Sequence, residues 1–252
     1  MVLLVDAGNS RLKWSELDTA GNLSTQQAWA YGDRPALSAF LDLLDAYPQV
    51  AHITLVHVLT HLFAESVQVA CEQRGIHLHS VCSVSCAYGI VNGYQQPSAL
   101  GADRFVGLVA AHRLAGGEAS IVIDCGTAIT VDAVGRDGRH LGGLILPGLQ
   151  LSAEALIARA QGRLSLSFAQ PNIFADSTGR AIGSGCLFGL VGAIEGICSR
   201  MQQALPSPAV RVLTGGDAEY LRSWLPGDYL LQPDLLMQGL AYITEQEACT
   251  SC

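Results

Sequence analysis

Apolar residues fall in short blocks whose period changes along the chain, and the changes mark out its elements. Residues 2–5 and 121–123 are unbroken apolar runs rich in valine, leucine and isoleucine, the pattern of a strand buried on both faces. Each run ends at an aspartate and a glycine turn: VLLVDAGNS at 2–10 and IVIDCGTAIT at 121–130. Residues 1–6 and 10–17 read as a hairpin, with a third strand at 24–31 after the turn Ala20-Gly21-Asn22. Leu37, Phe40, Leu41 and Leu44 have helical spacing, which predicts a helix over 35–46 stopped by Pro48. Residues 52–58 alternate as a strand, 61–74 read as a helix closed by Gly75, and 76–81 as a strand. Residues 88–97, rich in Gly, Asn, Gln and Tyr, predict a loop that runs into LGADRF and a helix to about residue 114. Ala115-Gly116-Gly117 is the clearest internal boundary.

The second half restarts with the strand ending at Asp124, followed by strands at 128–134 and 139–146 with a turn at 135–138. Pro147-Gly148 opens a helix to about 161, and a loop continues to about 176. The apolar stretch 182–198 carries Glu195 and glycines at 183, 185, 189, 192 and 196. It is short for a membrane span and predicts a buried helix packed closely through those glycines. A strand at 210–213 delivers Thr214-Gly215-Gly216-Asp217, and 235–244 reads as the closing helix. Each half therefore opens with a hairpin and goes on with alternating strands and helices. That predicts an α/β duplication with domains 1–116 and 117–252.

Composition narrows the class. Half of the 252 residues are hydrophobic and 14% are charged, enough for a sizeable core and too few charges for a disordered chain. The net charge is −8 and the basic residues are scattered, so the footprint of a nucleic-acid or anionic-lipid binder is missing. Asp6 interrupts the first apolar run without a cationic start, so no secretory signal is read and the expected location is cytoplasmic. The eight cysteines lie mostly inside apolar runs, as reduced core thiols do; Cys249 and Cys252 form a terminal CxxC without further zinc ligands at suitable spacing.

The repeated phrase carries the chemistry. A glycine turn presents backbone N–H groups that suit phosphate oxygens, and the aspartate suits a cation travelling with them. In the first turn Asn9, Ser10 and Lys13 add donors, and Lys13 supplies a point charge. In the second, Thr127 offers a hydroxyl and Asp124 a carboxylate. Either turn alone reads equally as an ordinary hairpin turn; two copies of the same strand-turn pattern favour a nucleoside triphosphate clamp. GGLILPG at 142–148 reads as punctuation, a bulge and a helix start. TGGD at 214–217 suits an adenine or ribose lying on backbone, or a plain strand-to-helix connection. In Gly101-Ala102-Asp103-Arg104 the aspartate is placed to accept a proton from an alcohol and the arginine to hold an anion, with Tyr88, Asn92 and Tyr94 shaping a pocket. His57, His61, His77 and His79 have no glutamate at zincin spacing and read as structural or surface residues.

The order DAGNS, GADR, DCGTA, GGLILPG, TGGD resembles the type III pantothenate kinases of the acetate and sugar kinase/Hsp70/actin superfamily, over nearly the whole chain. The resemblance implies duplicated actin/Hsp70-like (ribonuclease H-like) α/β domains with a cleft between them. It also implies ATP-dependent phosphorylation of pantothenate, the first step towards coenzyme A. ATP phosphates would be contacted by Asp6, Ala7, Gly8, Asn9, Ser10, Arg11, Leu12 and Lys13. Thr127, Gly215 and Gly216 would also bind ATP, and Asp103 would be the catalytic base. Tyr94, Gly101, Ala102, Asp103, Arg104 and, by a looser match, Thr178 would contact pantothenate. Asp124 would hold a monovalent cation (K⁺ or NH4⁺), and Asp6 would hold Mg²⁺ through water. Ser10 stands where threonine is commoner in the family. A homodimer is implied as well; that no nucleic acid or membrane is a partner is expected from the charge alone.

Two other classes share these features. A phosphohydrolase of the same superfamily, such as an exopolyphosphatase, would use both phosphate turns on water; the Tyr/Asn loop before Gly101 argues for an organic alcohol instead. An ATP-binding regulatory accessory protein would need no base beside an alcohol pocket.

Overall fold

Strand β1 (Val2–Ala7) is buried on both faces, which explains its unbroken apolar run. It pairs antiparallel with β2 (Arg11–Leu17), and β2 pairs antiparallel with β3 (Gln27–Ala30). On its other edge it runs parallel to β4 (His52–His57), which runs parallel to β5 (His77–Ser80). The sheet order is β3-β2-β1-β4-β5. Helices α1 (Ala36–Ala46) and α2 (His61–Gln73) cover one face, where Leu3, Val5, Leu12 and Trp14 meet Phe40, Leu43, Phe63 and Val67. Strand alternation puts Leu4 and Asp6 on the other face. Between β5 and the next helix lies a small hairpin, β6 (Cys86–Ala87) and β7 (Ile90–Val91), inside the segment read as loop. Tyr88 and Gly89 turn it with φ of 53° and 82°, the two positive values of a type I′ turn. Helix α3 (Ala102–Leu114) then packs against β4.

In the computed structural model, which describes residues 1–159, 168 and 170–250, this sheet belongs to one of two units. The first comprises Met1–Gly116, Gly138–His140 and Asp234–Cys252; the second comprises Gly117–Asp137 and Leu141–Pro233. The second unit repeats the plan. Strands β8 (Ala119–Cys125), β9 (Ala128–Val134), β10 (His140–Pro147), β11 (Ala209–Thr214) and β12 (Leu230–Leu231) lie in the order β10-β9-β8-β11-β12, with β8–β9 antiparallel and β8–β11–β12 parallel. Its helices are α4 (Leu149–Arg159), α5 (Thr178–Ala204) and α6 (Ala218–Arg222). The predicted end of α4 near 161 and the terminal Cys252 lie outside the described residues.

The chain boundary at 115–117 does begin the second unit, yet the closing helix α7 (Leu235–Thr250) returns to the first. It packs on α3, β1, β2 and β4, burying Leu235, Met237, Leu240 and Ile243, and Thr244 Oγ1 lies 2.8 Å from Thr54 Oγ1. Helix α5 also departs from expectation. It is 27 residues long, and is the one described helix long and apolar enough to cross a membrane. Gly183 is buried, but most of the other glycines do not pack. Among the described residues an added methyl at Gly185, Gly189 or Gly192 would meet nothing within 4 Å. Gly185, Gly189, Gly192 and Gly196 form one stripe; Gly183 lies with Leu187, Leu190, Val191, Ile194 and Cys198 on the opposite, buried stripe, where those five side chains enter the core with β8 and β9.

Candidate functional site

The first turn caps the β1–β2 hairpin. Gly8 N–H donates to Arg11 O at 3.1 Å, and Tyr31 N–H donates to Ser10 O at 3.1 Å, fastening the turn to the end of β3. Asp6 and Lys13 are cross-strand partners, and Lys13 Nζ lies 3.8 Å from Asp6 Oδ2. Asp6 is buried, and its charge with burial pushes the Tyr31 hydroxyl up to about 12, burial being the larger cause. Ala7 and Leu12 turn their side chains into the core, so either can meet a phosphate only through backbone. Gly8, Asn9, Ser10 and Arg11 form the exposed to partly exposed rim of the turn.

The same unit carries the GADR motif. Gly101 caps α3, which places Ala102, Asp103 and Arg104 in the helix's first turn, where the dipole favours a carboxylate. Asp103 Oδ1 accepts the Arg104 N–H at 2.7 Å and folds back over Gly101, where a Cβ would stand 2.6 Å from it. Any side chain at 101 would turn that carboxylate away. Arg104 Nη1 donates to the Tyr94 hydroxyl at 2.9 Å. Asn92, read as a pocket residue, is buried and works inside the loop. Its Nδ2 donates to Val84 O, Pro97 O and Ser83 Oγ at 3.0–3.2 Å, and its Oδ1 accepts Tyr94 N–H. Tyr88 is pinned by its hydroxyl to Glu247 Oε1 at 2.6 Å. Of that trio Tyr94 therefore remains beside Arg104.

The second turn, between β8 and β9, is built differently. Gly126 N–H donates to Ala128 O at 3.1 Å, and Asp124 lies across from Thr130. Two glycine motifs seal it. Gly148 N–H donates to Thr127 O at 2.9 Å, and a Cβ on Gly148 would overlap Gly126 O and stand 2.6 Å from Thr127 O. Gly215, at φ +97°, presses on the Asp124 carboxylate and the Cys125 backbone, while Asp217 N–H donates to Cys125 O at 2.9 Å. GGLILPG and TGGD are thus partners of the DCGTA turn. The sequence reading missed this; the signal was present as three glycine turns in one half, but nothing in the spacing paired them. Burial first, and then the charges of Asp124 and Asp217, drive the Cys125 thiol far above its ordinary range. Gly216 lies beside Gly215 in the same connection, and Thr178 opens α5 as an exposed residue of the second unit. His57 packs edge-on against Phe63 with its pKa lowered by burial, and exposed His61 pairs with Glu65 at 3.3 Å, in keeping with structural and surface roles.

Among the described residues no group of three or more His, Cys, Asp or Glu could hold a metal ion. The donors at hand, single carboxylates beside backbone turns, fit a Mg²⁺ that travels on phosphates with its waters.

Residues 2–200 match the model of the type III pantothenate kinase family. A type III pantothenate kinase of Alkalilimnicola ehrlichii is 38% identical over 248 residues, covering 97% of this chain and 98% of its own length. One of Nitrosococcus oceani is 34% identical over 251 residues, covering 97% and 94%. Among solved structures, a Campylobacter jejuni protein named as a Baf family transcriptional activator aligns with a TM-score of 0.66 at 22% identity, over 98% of this chain and 99% of that one. The acetate kinase of Porphyromonas gingivalis aligns with a TM-score of 0.52 at 13% identity, over 98% of each chain. These structural likenesses establish the duplicated actin/Hsp70-like α/β fold.

Proposed function

The chain belongs to the type III pantothenate kinase family, and we propose how its parts divide the work of phosphorylating pantothenate with ATP, the first step towards coenzyme A. The Asp6–Lys13 turn contacts ATP through its N–H groups and lysine, and Thr127 of the Asp124 turn is a further ATP contact. Gly215 and Gly216 meet the adenosine. Tyr94, Gly101, Ala102 and Arg104 hold pantothenate, with Thr178 as a further contact.

The observation that carries this reading is the Asp103 carboxylate folded over Gly101, beside the Arg104–Tyr94 pair. In the transfer Asp103 takes the proton of the primary hydroxyl as that oxygen bonds to the γ-phosphorus. The bond to the bridging oxygen breaks, and ADP leaves with the electron pair. Such a transition state is loose, so positioning and charge neutralisation supply most of the rate. Bound Mg²⁺ supplies neutralisation at the phosphates, and Asp6 would hold it through water. Asp124 would hold K⁺ or NH4⁺. A homodimer in the cytoplasm completes the proposal.

ADP release, measured with pantothenate, Mg²⁺ and K⁺ each omitted in turn, tests it. Release is expected to need all three. Release without pantothenate would instead show a hydrolase, and tight ATP binding without turnover a regulatory protein.

A further inference from the structure

We propose that His140 is a positioning residue for the pantothenate site, the fixed base on which the Tyr94 ring and, through it, Arg104 are held. This rests on the reading of Tyr94 and Arg104 as substrate contacts. His140 is 0% exposed, so substrate cannot reach it and any effect must pass through a neighbour. Its ring stacks on Tyr94 with centroids 5.6 Å apart and planes 22° from parallel. Tyr94 in turn accepts from Arg104 Nη1 at 2.9 Å, with the guanidinium carbon 5.6 Å from the tyrosine centroid. The Arg104 N–H reaches Asp103 Oδ1 at 2.7 Å. One line of contacts thus runs from the buried imidazole to the carboxylate assigned as base.

The backbone shows the same arrangement. Gly138, Arg139 and His140, the first residue of β10, are grouped with the first unit, although β9 and the rest of β10 belong to the second. Val91 N–H donates to Gly138 O at 3.0 Å, and Val91 forms a parallel bridge with Arg139. Gly138 has φ +76°, and a Cβ there would overlap Gly89 O, so only glycine lets this segment lie so close to the β6–β7 turn. The Tyr94 backbone is set by Asn92 and its ring by His140. A tyrosine ring without that base would have to be ordered by the substrate itself, at a cost in affinity.

The test compares ring and non-ring replacements of similar volume, His140→Leu and His140→Phe, with Tyr94→Leu and the Tyr94→Leu/His140→Leu double variant. A lost aromatic stack corresponds to a roughly 2- to 12-fold change in an equilibrium constant. His140→Leu is expected to raise the KM for pantothenate by about that factor while the KM for ATP stays put. His140→Phe should restore it, and the double variant should be no worse than Tyr94→Leu. Equal pantothenate KM values for the Leu and Phe variants, or equal shifts for both substrates, would overturn the role of His140. An unchanged pantothenate KM in Tyr94→Leu would overturn the reading of the site itself. If His140→Leu does not fold, His140→Gln keeps a planar group in that space; it should retain more pantothenate affinity than His140→Ala, and equality of those two counts against the proposal.

Discussion

The two aspartate turns occupy the same place in two sheets of the same strand order, and they are held in different ways. The first is fastened by side chains and a strand end: Lys13 stands across from Asp6, and Tyr31 ties down Ser10 and lies close enough to feel Asp6. The second is fastened by backbone, with Gly148 and Gly215 pressed against it and the charges of Asp124 and Asp217 bearing on Cys125. A turn with its own lysine suits an anion. The second turn has Thr130, not a lysine, across from its aspartate. One sequence phrase has thus acquired two different surroundings, through what each sheet packs around it.

The largest expected effect separates chemistry from both turns. Asp103→Asn should lower kcat by about 10²–10⁴-fold, the span of a general base, while both substrates still bind. Turnover within about twofold of the starting enzyme would remove Asp103 from that role. Next come the turn glycines. Gly215→Ala puts a methyl into the Cys125 backbone at a left-handed φ and should cost about 2–5 kcal/mol in urea unfolding. Gly8→Ala meets only Arg11 O at 3.4 Å, an ordinary contact, and should stay within about 1 kcal/mol. Equal losses would erase the contrast between backbone-sealed and side-chain-held turns.

Lys13→Met should weaken ATP by roughly 10- to 100-fold, the worth of a hydrogen bond to a charged group, and flatten the salt dependence of the KM for ATP. Thr130→Val, across from Asp124, should change that KM by about threefold or less. A further test concerns pH. The Tyr31 hydroxyl rises from 10.0 to about 12 in the folded state, so its contribution to stability is intact below pH 10 and drains away as pH rises towards 12. Tyr31→Phe should make the stability curve shallower across that window. Cys71, pushed up to about 11 by burial, titrates there too and is common to both proteins, so the difference curve isolates Tyr31. Superimposable curves would show that the first turn does not strain this hydroxyl.

Much of the fold was legible because periodicity reports burial. The unbroken runs at β1 and β8 are apolar since both faces of a central strand are covered, and the Leu and Phe spacing of α1 follows the single face it buries. The glycines of α5 misled because composition says that a glycine is small, and only packing says what it faces. The β6–β7 hairpin escaped because two-residue strands carry no period, and its turn puts a tyrosine at positive φ where a glycine or asparagine would have signalled it. At the site, Asp6, Asp103 and Asp124 stood out as carboxylates at the ends of apolar or glycine-marked segments. Asn92 looked like a pocket residue because an amide in a polar loop carries no mark of whether it bonds a ligand or its own backbone.

By itself the sequence determined the family and the duplicated α/β plan and singled out Asp6, Asp103 and Asp124 as candidate site carboxylates, since all of these are written in local order and local chemistry. Tertiary structure alone decided that α7 belongs with the first unit, that Gly148 and Gly215 close on the Asp124 turn, and that His140 lies under Tyr94. Those pairings join residues far apart in the chain. A contact of that kind leaves no trace in the spacing of either partner; it exists only once the sheets and helices have packed.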